Sequence, residues 1–573
     1  MSFFPALSLA IKRTGQNPKF LNLMGIAIGF CLLPTVASTI PASAAEKIFL
    51  SYDILERSIS VESLANYAKN GLIQDDIAPY IQYAQPQQRE QLRKILLTRL
   101  DLNYVAVSQF LYTPQAEILL QRLGEVIKTD SGQTGSGAIR TALTLAAADP
   151  QGLTLLNVLR KFPARAVRID LESGLKIANE LSTIFNKTQS AIAVITQKAA
   201  ITATSSPVNL PQLLNLQTPG SFTSQKLTIN LNDPSRNRKF PADIYLPITV
   251  GKQPLTKPAK LIIISHGLGS DRQTFAYLAE HLASYGFAVV VPEHPGSNAQ
   301  RLQDLLSGRA NEVSEPMEFI NRPLDIKFLL DELTLLSQSN PKFQGKIDLQ
   351  DVGMIGQSFG GYTALTLAGA NLNFLQLHKD CAAINRSWNT SLLLQCRALL
   401  LKPSKYNFRD QRITAVMAIN PINSSVIGPS GLSQIKIPLM IISGSSDTVA
   451  PPLAEQIQPF TWLTTPNKYL VIMQNGTHFS TLAPSPSDLP LPEPVIGPDL
   501  ALARSYMNAL SVPFFKFYTD HQADYQPYLT SSYVQSLSRE PLPLSLVQTF
   551  TAAELKSAIE RSNSQVTSQS KSK

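Results

Sequence analysis

From Lys226 onward, short runs rich in Ile, Val and Leu alternate with stretches of helical spacing, and that alternation admits few folds. The runs are "KLTINL", "ADIYLPI", "KLIIIS", "FAVVVP", "DVGMI", "ITAVMAI", "PLMIIS" and "YLVIMQ". Apolar runs this short, with little polar alternation, suit strands covered on both faces, and the helices between them supply the covers. The expectation is an α/β domain over 225–562 with a mostly parallel, eight-stranded, doubly wound sheet. Ligands of such sheets bind outside the C-terminal strand ends, so the long connections there, 300–321 and 371–412, are candidate lids.

Within "MIGQSFGGYTALTLAG" a serine stands between an apolar run and a helix-forming one. A G-x-S-x-G pattern is weak alone, but strand before and helix after are what a nucleophile elbow requires. Gly356 and Gly360 leave room for the sharp turn that exposes the Ser358 hydroxyl, and the amide of Phe359 then stands at a helix start, ready for an oxyanion. A serine needs an imidazole to take its proton and a carboxylate to orient that imidazole, in the chain order Ser, acid, His. Of six histidines, His478 in "MQNGTHFS" follows the last expected strand; His521 lies beyond the last helix and His378 inside an insertion. Asp447 in "SGSSDTVAP" follows the strand before, whereas Asp410 precedes its strand and lies at the wrong edge. The second oxyanion donor is expected from "SHGLGS", where Gly267 lets the backbone turn and Leu268 offers its amide. His266 and His294 are read as loop-orienting residues.

At 573 residues the chain exceeds one ordinary core. Residues 1–44 hold Lys12, Arg13 and Lys19, an apolar run and the small residues Ala42, Ser43 and Ala44, the pattern of an exported leader cleaved after an A-x-A site. An uncleaved membrane anchor is the other reading. Residues 45–200 carry helical spacing and little β-branched alternation, which predicts an all-helical accessory domain; 201–224, rich in Ser, Thr and Pro, reads as a linker, and 563–573 as a disordered tail. The net charge of +9 is scattered, so nucleic acid is not an expected partner, while loose attraction to a membrane surface is compatible with it. Cys381 and Cys396 lack metal-ligand spacing; they form a candidate disulfide or remain two buried thiols. No metal or cofactor is called for. The run "SLLLQCRALLL" (391–401) either faces an acyl chain or packs on the core.

Together, "SHGLGSDRQTFAYLAEHLASYGFAVVVPEHPGSN", "RPLDIKFLLDEL", "GQSFGG", "SGSSDTVAP" and "GTHFS" resemble the dienelactone-hydrolase and platelet-activating-factor-acetylhydrolase-like branch of the α/β-hydrolases, over about Lys226 to His521. The segment from Ala45 to about Asp170 resembles a domain of unknown function that precedes such hydrolases in cyanobacteria. The resemblance implies an α/β-hydrolase fold and a serine carboxylic-ester hydrolase acting on lipid-like or short-acyl esters, in the periplasm, outside the cell or in a thylakoid lumen. Two departures bear on it. Dienelactone hydrolases proper use a cysteine where this chain has Ser358, and plasma-type acetylhydrolases take their acid from an earlier strand end, where this chain reads "AINPINSS" without a carboxylate. A non-catalytic envelope-binding protein or a peptidase on the same fold are the rival readings.

Overall fold

The structure, a computed structural model, describes residues 44–100, 102, 104–249, 257–486 and 493–571. The leader expected over 1–44 therefore lies outside the described residues apart from Ala44. In chain order the strands are β1 (Lys47–Tyr52), β2 (Leu55–Ser60), β3 (Ile127–Thr129), β4 (Ala166–Asp170), β5 (Thr223–Asp233), β6 (Arg238–Ile248), β7 (Ala259–Ser265), β8 (Ala288–Pro292), β9 (Ile347–Gln357), β10 (Ile413–Ile419), β11 (Leu439–Gly444), β12 (Lys468–Met473) and β13 (Leu544–Val547).

Among the described residues β5 to β13 form one nine-stranded sheet in the order β13-β12-β11-β10-β9-β7-β8-β6-β5. From β8 across to β12 neighbours run parallel; β5, β6 and β13 are antiparallel at the two margins. The period of two along each strand divides the core. In β7, Leu261 and Ile263 join the apolar cluster on one face, and Ile262 and Ile264 that on the other. The first face is covered by helices Glu318–Ser339 and Phe359–Leu367, the second by Ala276–Ser284 and Leu500–Tyr518. The eight expected strands are all present. The ninth, β13, is four residues long and begins at the last leucine of the Pro-rich "REPLPL", a stretch that reads as a loop although the strand pairs with β12.

The N-terminal region has the expected helices and, in addition, a four-stranded sheet in the order β2-β1-β4-β3, so it is not all-helical. Periodicity could not reveal this sheet: β3 has three residues, and β2, "LERSIS", buries only Ile59. Its own core gathers Ile48, Val61, Val107, Leu120, Ile139 and Phe162.

The boundary at 200 and the linker after it also differ from expectation. One helix runs Leu171–Ser205, begins at the N-cap Asp170 that ends β4, and sends Ala191, Ile192, Ile195 and Ala199 into the core of the large domain. The following segment is laid on that domain, with Leu216 fully buried and its carbonyl 3.0 Å from His281 Nε2. At the other end, helix Ala552–Lys571 continues through most of the expected tail, because that polar stretch contains neither Gly nor Pro to stop it.

Candidate active site

Ser358 joins β9 to helix Phe359–Leu367 with φ 55° and ψ −115°, a conformation that costs a non-glycine residue about 1–3 kcal/mol. The close approach explains the glycines around it. A Cβ at Gly356 would overlap the carbonyl of Gly360, one at Gly360 the carbonyl of Ser265, and one at Gly267 the Gln357 amide oxygen. The turn is braced by the Ser358 amide, which donates to Ile419 O at the end of β10 (2.9 Å).

Asp447 follows β11 and His478 follows β12, as expected. His478 Nδ1 lies 2.7 Å from Asp447 Oδ2, while Oδ1 of the same carboxylate accepts from the amides of Val449 (2.8 Å) and Ala450 (2.7 Å). With Nδ1–H engaged by the carboxylate, Nε2 is the imidazole's proton acceptor. Ser358, Asp447 and His478 are 5%, 3% and 4% exposed, so the Asp–His pair acts in a medium where water does little screening.

Two residues that sequence reasoning missed tie the loops together. Gln357 Nε2 donates to His478 O (3.1 Å), so the residue before the serine holds the histidine's backbone. Asn420, at φ 43° just beyond β10, donates to Thr477 O (3.2 Å) and accepts from Gly444 N (2.8 Å), joining the loops of His478 and Asp447. The signal for Asn420 was the polar break in "AINPINSS", noted for lacking a carboxylate rather than for what its amide could span.

In the turn after β7, the amides of Gly269 and Ser270 are taken by Ser297 O (2.8 Å) and Gly267 O (3.4 Å). Among the described residues the amide of Leu268 has no such acceptor, and Phe359, at the first helical position, has none within its own helix. A buried network fixes the turn beneath Leu268. His266 Nδ1–H donates to Gly267 O (2.8 Å), and its Nε2 accepts from the amide of His294 (3.1 Å). His294 Nδ1–H donates to Asp325 (3.0 Å) and its Nε2 lies 3.0 Å from Ser265 Oγ. Arg322, fully buried, donates to His266 O and to Ser297 Oγ, and its guanidinium lies over the Phe359 ring at 4.7 Å. Burial and the Arg322 charge push His266 down to about 4 and His294 well below the usual range, so both stay neutral. They orient the loop, as read from sequence; that Arg322 and Asp325 stand behind them was not legible.

The competing candidates are elsewhere. Asp410 pairs with Arg412 ahead of β10, His521 is 65% exposed beside Asp351, and His378 sits in helix Phe374–Cys381. Cys381 and Cys396 are joined as a disulfide. The run 391–401 packs on the core through Leu392, Ala398 and Leu401, while Leu400 is 65% exposed. Among the described residues no cluster of three His, Cys, Asp or Glu side chains is placed to hold a metal.

Two family models match the chain. Residues 44–170 match one described as an alpha/beta hydrolase of unknown function, and residues 242–321 match platelet-activating factor acetylhydrolase, isoform II. With the fold, these two matches support an α/β-hydrolase related to the platelet-activating-factor-acetylhydrolase-like branch. The first match ends at Asp170, the residue that caps the long helix; the second runs from β6 through the turn after β7 into the first insertion. Among curated relatives, this α/β-hydrolase is 30% identical over 139 residues to the hydrolyase poxO of Penicillium oxalicum, covering 24% of this chain and 29% of the relative. It is 25% identical over 218 residues to a platelet-activating factor acetylhydrolase of Cavia porcellus, covering 27% of this chain and 49% of the relative. The chain therefore spans under half the length of either relative.

Proposed function

We propose that this α/β-hydrolase is an exported serine carboxylic-ester hydrolase that works through an acyl-enzyme. Ser358 Oγ attacks the ester carbonyl carbon as His478 Nε2 takes its proton, and Asp447 stabilises the imidazolium. The amides of Leu268 and Phe359 hold the oxyanion of the tetrahedral intermediate. His478 then returns the proton to the departing alcohol, and a water activated by the same imidazole releases the acid. The observation that carries the reading is the 2.7 Å Asp447–His478 pair set at strand ends beside a serine in a strained turn. Export rests on the N-terminal sequence pattern; no helix among the described residues is long and apolar enough to cross a membrane.

The test is labelling of the purified protein with a fluorophosphonate, together with p-nitrophenyl acetate turnover. Ser358→Ala should abolish the label and lower kcat at least about 10⁴-fold while the melting profile is kept. A variant that keeps a tenth of the wild-type rate would rule Ser358 out as nucleophile.

A further inference from the structure

A cavity of about 420 Å³ begins at the oxyanion turn, where Leu268, Gly269 and Ser270 form its edge, and reaches Phe479, the residue after His478. Leu302, Val313, Leu482, Ile496 and Leu500 are among the residues of a mostly apolar wall. Ser358, Asp447 and His478 do not line the cavity, but it borders both Leu268 and Phe479, and an apolar cavity so close to a polar centre suits the hydrocarbon chain of an ester.

The wall is not held by the catalytic domain alone. Leu302 belongs to helix Ala299–Leu306 of the first insertion, and its Cδ2 rests against Gly269 of the oxyanion turn. Arg301 on the same helix donates to Glu312 O (3.1 Å), and Glu312 pairs with Arg397 of the second insertion. On its outer side this helix packs against helix Tyr104–Leu111 of the accessory domain, where the Gln109 side chain faces Gly308. Val107 and Leu111 of that helix enter the accessory domain's own core. Ala106, 6% exposed, is not part of that core and lies one turn before Gln109.

We propose that the cavity is the acyl-chain subsite and that the accessory domain, by backing helix Ala299–Leu306, sets how long a chain it accepts. The proposal rests on the ester-hydrolase reading above and gives the accessory domain a role in substrate choice. Each methylene received by the wall should multiply kcat/KM by about four, the equivalent of roughly 0.8 kcal/mol. The preference should therefore climb from acetyl esters until the cavity is filled.

The experiment measures kcat/KM for p-nitrophenyl acetate and octanoate on the full chain, with fluorophosphonate labelling of Ser358 as a separate readout. Leu302→Trp should lower the octanoate-to-acetate ratio at least tenfold, and Val313→Phe, filling the cavity from another side, should lower it as well if the tryptophan prevents folding. Ala106→Phe, which pushes the accessory helix against the insertion, should shift the same ratio at least threefold. Labelled, active protein whose ratio is unmoved by either cavity substitution would overturn the subsite. A moved ratio in those two with none in Ala106→Phe would overturn the accessory domain's part. Absence of both label and turnover in the wild type would instead refute the ester-hydrolase reading itself.

Discussion

The two insertions looked alike in sequence, yet they are built differently: the first follows β8, the second follows helix Phe359–Leu367 and leads into β10. The second, 371–412, is stitched to the domain. Its disulfide closes one loop, and the fully buried Glu455 accepts hydrogen bonds from Ser391 Oγ (2.7 Å) and Gln395 Nε2 (2.9 Å) of the insertion and from Asn423 N (2.7 Å) and Ser424 N (3.0 Å) of the loop after β10. Gln395 Oε1 in turn accepts the amides of Ser425 and Val426, each at 2.9 Å. The first, 300–321, puts Leu302 and Val313 on the cavity and is anchored at its base, where Glu318 takes two bonds from Arg238 (2.8 and 3.0 Å) and one from Ser297 Oγ (3.1 Å). Two insertions of similar sequence character are thus fastened differently, one through a buried carboxylate and a disulfide, the other at its base, beside the cavity.

The strongest way to break this contrast is Glu455→Ala. Several buried donors would lose their acceptor at about 1–3 kcal/mol each, so urea unfolding should report a loss of about 4 kcal/mol. The octanoate-to-acetate ratio of the folded fraction should not move; a shift matching that of Leu302→Trp would place the second insertion in the subsite after all. Cys396→Ser should cost somewhat less, about 3 kcal/mol for a loop of this length, again with an unchanged ratio.

Acid should separate the two insertions. His266 and His294 lie beneath the turn after β7 and face Arg322, Asp325, Arg238 and Glu293, while the second insertion has no buried histidine among the described residues and is held by Glu455, its hydroxyl and amide donors, and a disulfide. Both imidazoles are held neutral in the fold, so below about pH 6.5 the unfolded chain binds more protons. Stability then falls as pH drops from about 6.5 toward 4, by about 1.4 kcal/mol per pH unit for each proton. Hydrogen exchange at pH 5 should show 299–321 losing protection before 371–400; the opposite order would contradict the contrast. The smallest effect is expected at Leu400, which is 65% exposed within an otherwise packed run: Leu400→Ser should change stability by less than about 0.5 kcal/mol.

Much of the catalytic half was legible because its signals are local. A strand, a turn that tolerates only small residues and a helix start identify Ser358 within one stretch, and Asp447 and His478 follow from strand order. What escaped notice depends on partners distant in sequence. Glu455 lies in "LAEQI" and looks like a solvated helix residue until donors from 389–395 and 423–424 converge on it. Arg322 similarly reads as a surface cation of an amphipathic helix, although its donors end at Ser297 and His266. The accessory sheet escaped because short strands with one buried residue carry no readable period, and the long helix because spacing shows that a face is apolar but not which domain covers it.

Helix Leu171–Ser205 couples the order of synthesis to the order of folding. Its partners include β13, helix Ser531–Leu537 and helix Ala552–Lys571, and Lys198 Nζ bonds Glu554 Oε1 at 2.7 Å across 356 residues of sequence. At ribosomal rates of about 5–20 residues per second, those partners emerge roughly 20–70 s after the helix does. During that interval Ala191, Ile192, Ile195 and Ala199 form an uncovered apolar stripe beside an accessory domain that already has the means to fold. The nascent chain is therefore most vulnerable to chaperone capture or aggregation along this rod, and cutting the protein at residue 200 would leave the hydrolase half with a permanent opening where the stripe belongs.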